Sequence, residues 1–223
     1  MSGRSINVEV HAGPELAATR ARNTMSSNTQ TSGGEIKRDV SFSSEKNFAN
    51  EEDARVEFHR SVEKLFDVDR WSDLPGISST FELHDRRGDR KVGGQPEVGD
   101  KLKIILPGPL PENWVDVIRV SQKEDSAEFT VTPTNDPNAV GEERKEVKHF
   151  FTPDATSTFK VERTGDVIRA WEIGRNEGVN NKGELAGDRK VINTLIAAGG
   201  WAGFQKLQWQ KLTAYLVHEI ELE

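Results

Sequence analysis

The sequence predicts an α+β fold in which one antiparallel sheet packs on a long C-terminal helix. Three observations carry that expectation. Residues 50–66 repeat apolar side chains at helical spacing; from residue 77 the period changes to two and strand-like segments recur at short intervals; from about Asp188 to Val217 the pattern is helical again.

Taken in order, residues 1–34 are rich in Ser, Thr, Asn, Arg and Gly, end in "MSSNTQTSGG", and hold too little apolar surface to offset the entropy of ordering. They are expected to be a disordered leader, with a single domain over 35–223. "EIKRDVSFSS" then predicts a first strand with Ile36, Val40 and Phe42 on one side. In "NEEDARVEFHRSVEKLF", Asn50 is placed to cap a helix, acids crowd its first turn, and Val56, Phe58, Val62, Leu65 and Phe66 supply an apolar face. "DVDRWSDLPG" ends that helix and leaves room for one short helical turn around Trp71.

The alternation in "ISSTFELHD" sets Ile77, Ser79, Phe81 and Leu83 against Ser78, Thr80, Glu82 and His84, the pattern of a half-buried strand. Further strands are expected in "DKLKIIL", "NWVDVIRV", "SAEFTVTP", "EVKHFFT" running on to "TSTFKVER", and "DVIRAWEIG". Gly165, between Thr164 and Asp166, stands where a tight hairpin turn needs positive φ. The polar stretch "GRNEGVNNKGELAG" separates the last strand from the C-terminal helix.

Composition narrows the function classes. A net charge of -7 with no dense basic patch argues against a nucleic-acid backbone as the main partner. Absence of cysteine excludes disulfides, thiolate metal sites and a cysteine nucleophile. No apolar run approaches the roughly 18 residues of a membrane span, and the N-terminus lacks the apolar stretch of a secretory signal, so a cytoplasmic location is expected. No catalytic, phosphate or cofactor motif is present, and no cofactor is expected. His59 and Glu63 have ligand spacing but lack a third partner, so no metal site is expected either.

Strand, two helices, a run of antiparallel strands and a long last helix, together with "SVEKLFDVDRWSDLPGISSTFEL" leading into the second strand, resembles the START/Bet v 1-like (SRPBCC) helix-grip superfamily of lipid-transfer proteins and polyketide cyclases over residues 35–217. That resemblance implies a curved sheet of six to seven strands gripping the last helix around an elongated apolar cavity. A lipocalin-like barrel and a cystatin-like sheet wrapped on one helix are the competing folds.

On the last helix, Trp201, Phe204, Gln205, Gln208, Trp209, Leu212, Tyr215 and Leu216 share one broad face. Trp209, Leu212 and Leu216 are most simply core. Gln205 and Gln208 must find partners, because an unpaired buried amide costs on the order of 1–3 kcal/mol. Those partners are either inward sheet side chains and water or polar groups of a ligand. With Trp201, Phe204 and Tyr215, and with Trp114, Phe129, Phe151 and Phe159 of the sheet, the two glutamines make up the expected ligand-binding set. Asp116 shares parity with Trp114, Ile118 and Val120, and His149 with Val147 and Phe151, so an inward acid and imidazole form a candidate catalytic pair. In "VIRAWEIG", Arg169 and Trp171 oppose Glu172, which leaves one charge inside or at the rim.

The expected function is binding or carriage of a small, largely apolar or amphipathic molecule between sheet and helix. A cyclase-like or hydrolytic enzyme using acid-base residues in the same cavity is one alternative. A protein-interaction domain with a filled core is the other.

Overall fold

The computed structural model describes residues 22–32, 35–107, 112–140, 153–178 and 200–222. Eight strands form one fully antiparallel sheet: β1 (Arg22–Ser32), β2 (Glu35–Asn47), β3 (Thr80–His84), β4 (Lys101–Ile105), β5 (Asn113–Lys123), β6 (Ser126–Thr134), β7 (Thr156–Thr164) and β8 (Val167–Gly178). Their order is β1-β2-β8-β7-β6-β5-β4-β3. Helix α1 (Glu51–Phe66) and a 3-10 helix (Val68–Asp73) join β2 to β3, and helix α2 (Gly200–Leu216) ends the fold. The expected α+β order of strand, helix, short helix, six strands and long helix is present, with one extra strand in front of it.

That extra strand corrects the expectation of a disordered leader reaching residue 34. Residues 22–32 pair with β2 along their whole length, while residues 1–21 lie outside the described residues. The sequence carries no signal for β1 because its side chains from Arg22 to Thr29 are exposed, so main-chain pairing, not apolar alternation, makes the strand. A side-chain bond also ties β1 to β2: the buried Ser44 hydroxyl donates to Asn23 Oδ1 at 2.5 Å.

Helix α1 begins where the sequence indicates. Asn50 Oδ1 accepts from the Asp53 amide at 2.9 Å, and Glu51, Glu52 and Asp53 fill the first turn, where the helix dipole favours acids. Its inner face is Ala54, Phe58, Ser61, Val62, Leu65 and Phe66. Val56, expected on that face, is 53% exposed, since it falls between the inward positions Ala54 and Phe58.

Beneath α1, Trp71 is wholly buried and stacks on Phe129 at 5.9 Å, touches Phe159 at 4.9 Å and Phe81 at 5.6 Å, and donates through Nε1 to the Lys64 carbonyl. Phe159 also meets Trp209 of α2 at 5.5 Å. Each such side chain contributes about 1.5–3 kcal/mol by leaving water, so this aromatic cluster fixes the sheet from β3 to β7 against the 3-10 helix and α2.

Helix α2 lies on β2 and β8. Its C-terminal end is set by Phe48 against the His218 ring and Lys46 bonded to the His218 carbonyl, and its middle by Thr213 and Ser44, whose hydroxyls stand 2.8 Å apart. Helix and strand therefore run side by side. Two strand residues span about 7 Å, which matches between four and five helical residues. Phe42 of β2 and its register partner Glu172 of β8 accordingly lie at the level of Gln208 and Trp209.

Candidate functional site

Strand β8 presents Ile168, Ala170, Glu172 and Gly174 to the interior by simple alternation. Alternation would next turn Asn176 inward, but the pairing with β2 shifts by one residue between Arg38 and Val40. Asn176 takes φ 53, a left-handed conformation that asparagine tolerates better than most residues. Asp39 holds this bulge, its carboxylate accepting from Arg175 Nη1 at 2.9 Å and from the Asn176 amide at 3.0 Å. The extra residue reverses the parity, and Glu177 faces inward beside Glu172.

Both carboxyls are buried, Glu172 at 1% exposure and Glu177 at 8%. The Glu177 side chain folds over Gly174, where a Cβ would overlap its carboxyl and displace it. Phe42 of β2 and Phe159 of β7 stand opposite Glu172 on either side, which makes the surroundings apolar. Neither oxygen of Glu172 has a hydrogen-bond partner among the described residues. Burial holds its pKa well above the usual carboxylate range, and the nearby Glu177 charge raises it further. The Ser157 hydroxyl opposes this shift without reaching hydrogen-bond geometry. The pair thus joins a carboxyl whose ionisation burial disfavours to a second carboxyl, an arrangement able to receive hydrogen-bond donors or to share a proton.

The remaining polar groups under α2 are satisfied by the protein itself. Ser79, just before β3, donates to Gln208 Oε1 at 2.8 Å in the buried interior, so this amide answers an inward serine of the chain. At the C-terminal end, His218 is buried with φ 62. Its Nε2 stands 2.9 Å from both the Glu57 carbonyl and the Ser61 hydroxyl, and its Nδ1 2.8 Å from Lys64 Nζ. Burial and the Lys64 charge push the imidazole below its ordinary pKa. Lys64 also bonds the Tyr215 carbonyl and pairs with Glu221. A groove of about 650 Å³ opens beside this cluster between β2 and α1. Its imidazole and the Lys64 amine already have partners, so the cluster clamps α2 to α1.

Several expected site residues lie elsewhere. Strand β5 carries a bulge of its own between Val117 and Arg119, and its inward residues are Val115, Val117 and Val120. Trp114 therefore packs on the opposite face, its ring 4.8 Å from that of His84 and beside Lys103. Asp116 pairs there with Lys101, and Ile118 is exposed. Phe129 and Phe159 are core, Phe129 fully enclosed by aromatic neighbours. Tyr215 is buried under Lys64 at the α1 to α2 contact. His149 and Phe151 lie outside the described residues, as do the side chains of Trp201, Phe204 and Gln205. The structure thus does not bring Asp116 to an interior acid-base pair. Arg169 forms a cross-strand ion pair with Glu45, and Glu172 is the inward charge of that hairpin. Glu177 was not legible, because the bulge that turns it inward breaks the period by which a strand is read.

No family model and no curated protein matches the sequence. Among solved structures, the chain is similar to a hypothetical protein from Helicobacter pylori (15% identity, 71% of this chain and 79% of that one, TM-score 0.44). It is also similar to a protein from Arthrobacter aurescens (17% identity, 81% and 87%, TM-score 0.39). A third is norcoclaurine synthase from Thalictrum flavum, solved with dopamine and hydroxybenzaldehyde (15% identity, 96% and 99%, TM-score 0.33). These scores lie below the range in which a likeness carries function. Among the described residues no helix is long and apolar enough to cross a membrane.

Two substitutions separate the satisfied amide from the unsatisfied acid. Gln208→Leu strands the Ser79 hydroxyl and is expected to lower stability by about 1–3 kcal/mol in chemical denaturation. Glu172→Gln is expected to gain stability over the parent protein as pH rises. A carboxyl whose folded pKa is raised stabilises fully below its unfolded pKa, and that contribution is lost as pH climbs through the folded value. Denaturation midpoints of both proteins measured across pH check this, and a stability difference that stays flat with pH contradicts it.

Proposed function

We propose that this is a helix-grip binding protein that holds a small, largely apolar organic molecule between its sheet and α2, with the Glu172 and Glu177 carboxyls as the polar anchor. The observation that carries this reading is that the two Glu172 oxygens, inside an apolar interior, have no partner among the described residues. Such a group costs stability in the empty protein, and a bound molecule with a donor at that point offsets the cost. The bulge supports the same reading, because Asp39 and a left-handed Asn176 serve to place a second acid where alternation would not.

A filled-core interaction domain is the second reading, favoured by the ring contacts among Trp71, Phe129, Phe159 and Trp209. An enzymatic reading through Asp116 loses its support, since that acid pairs with Lys101 on the other face of the sheet.

Native mass spectrometry of freshly purified protein distinguishes the two. The binding reading expects a non-covalent small molecule that is released on denaturation and reduced in Glu172→Leu. Bare protein mass, with no thermal stabilisation by apolar compounds, favours the filled core.

A further inference from the structure

The number and sign of the groups at the anchor narrow the chemistry of what it takes. Glu172 offers two oxygens with no donor among the described residues, and Glu177 brings a second carboxyl to the same face. A metal ion does not answer this arrangement. No group of three or more His, Cys, Asp or Glu able to hold one occurs among the described residues, and hard cations take six or more oxygen ligands. Anionic head groups are repelled by the pair. A neutral hydroxyl supplies one donor and no charge, so it does nothing to offset the repulsion between two carboxylates at this point. A primary ammonium supplies three donors from one atom and a positive charge, so its arrival favours the carboxylate form of Glu172, whose proton leaves to solvent. The apolar flanks, Phe42 and Phe159, suit a hydrocarbon or aromatic body attached to that head.

Resting on the binding reading above, we propose that the Glu172 and Glu177 pair is a site for the primary ammonium of an otherwise apolar amine. The head lies against the Glu172 oxygens and the body extends under α2 along Phe42 and Phe159.

The test compares octylamine, octanol and octanoate by isothermal titration calorimetry at neutral pH against the full chain and against Glu172→Gln and Glu177→Gln, each first shown to be folded by circular dichroism. The tail is common to all three probes, so differences report the head group. Octylamine is expected to bind more tightly than octanol, with octanoate weakest. Glu172→Gln is expected to weaken octylamine by about 10- to 100-fold, the loss typical of a charged hydrogen bond, while leaving octanol nearly unchanged. Glu177→Gln is expected to act in the same direction, which keeps the test decisive if one variant fails to fold. Octanol binding as well as octylamine, with neither variant affecting either, overturns the amine site while leaving a carrier for apolar molecules standing. Binding of none of the three, together with a bare native mass, overturns both.

Discussion

Strand β8 contains one residue more than its pairing with β2 requires, and the polar character of the interior follows from where that residue goes. The strand lies between β2 and β7 and beneath α2, so its inward positions cannot be exchanged with its outward ones without losing Ile168 and Ala170 from the core. Absorbing the extra residue at Arg175 and Asn176 preserves the register on both sides of the bulge. Asp39 makes the bulge stable by taking up the Asn176 amide, which the interrupted ladder leaves without its regular partner. The result is a second carboxyl facing inward next to one that alternation already buries.

The aromatic cluster makes this arrangement tolerable. A buried, unpartnered carboxyl is destabilising even when it is neutral, on the order of 1–3 kcal/mol. Trp71, Phe81, Phe129, Phe159 and Trp209 each contribute about as much or more by leaving water, and they lock the adjacent strands. Helix α2 then meets two kinds of polar group along its length. Toward its C-terminus, His218, Lys64, Ser61 and Thr213 have partners within the chain, and Gln208 has Ser79. At the level of Glu172 the chain supplies none among its described residues. That difference marks the functional end of the interior, because a satisfied network needs nothing further and an unsatisfied one does.

Much of the fold was legible. Asn50 and the acids after it marked the start of α1, Trp71 before a Pro-Gly break marked the 3-10 helix, and Gly165 with φ 61 marked the β7 to β8 hairpin, because each is a local signal with a local cause. What alternation alone could not reveal were the bulges. The one in β5 sent Trp114 and Asp116 to the outer face, and the one in β8 brought Glu177 in. Strand β1 escaped notice for a related reason, since main-chain pairing against an existing edge leaves no mark on side-chain pattern. The site was half visible: Glu172 opposite Arg169 required one charge to lie inside, and its partner needed the bulge to be seen.

The rest stands on burial disfavouring the ionised form of Glu172 inside the ligand-free protein. Carbon-13 NMR of protein labelled at the glutamate side-chain carboxyl, followed across pH with Glu172→Gln to assign the signal, measures this directly. The account predicts one glutamate carboxyl that titrates well above the ordinary carboxylate range and whose signal vanishes in the variant. If every glutamate carboxyl, that of Glu172 included, titrates in the ordinary range, Glu172 is solvated and the buried anchor does not exist.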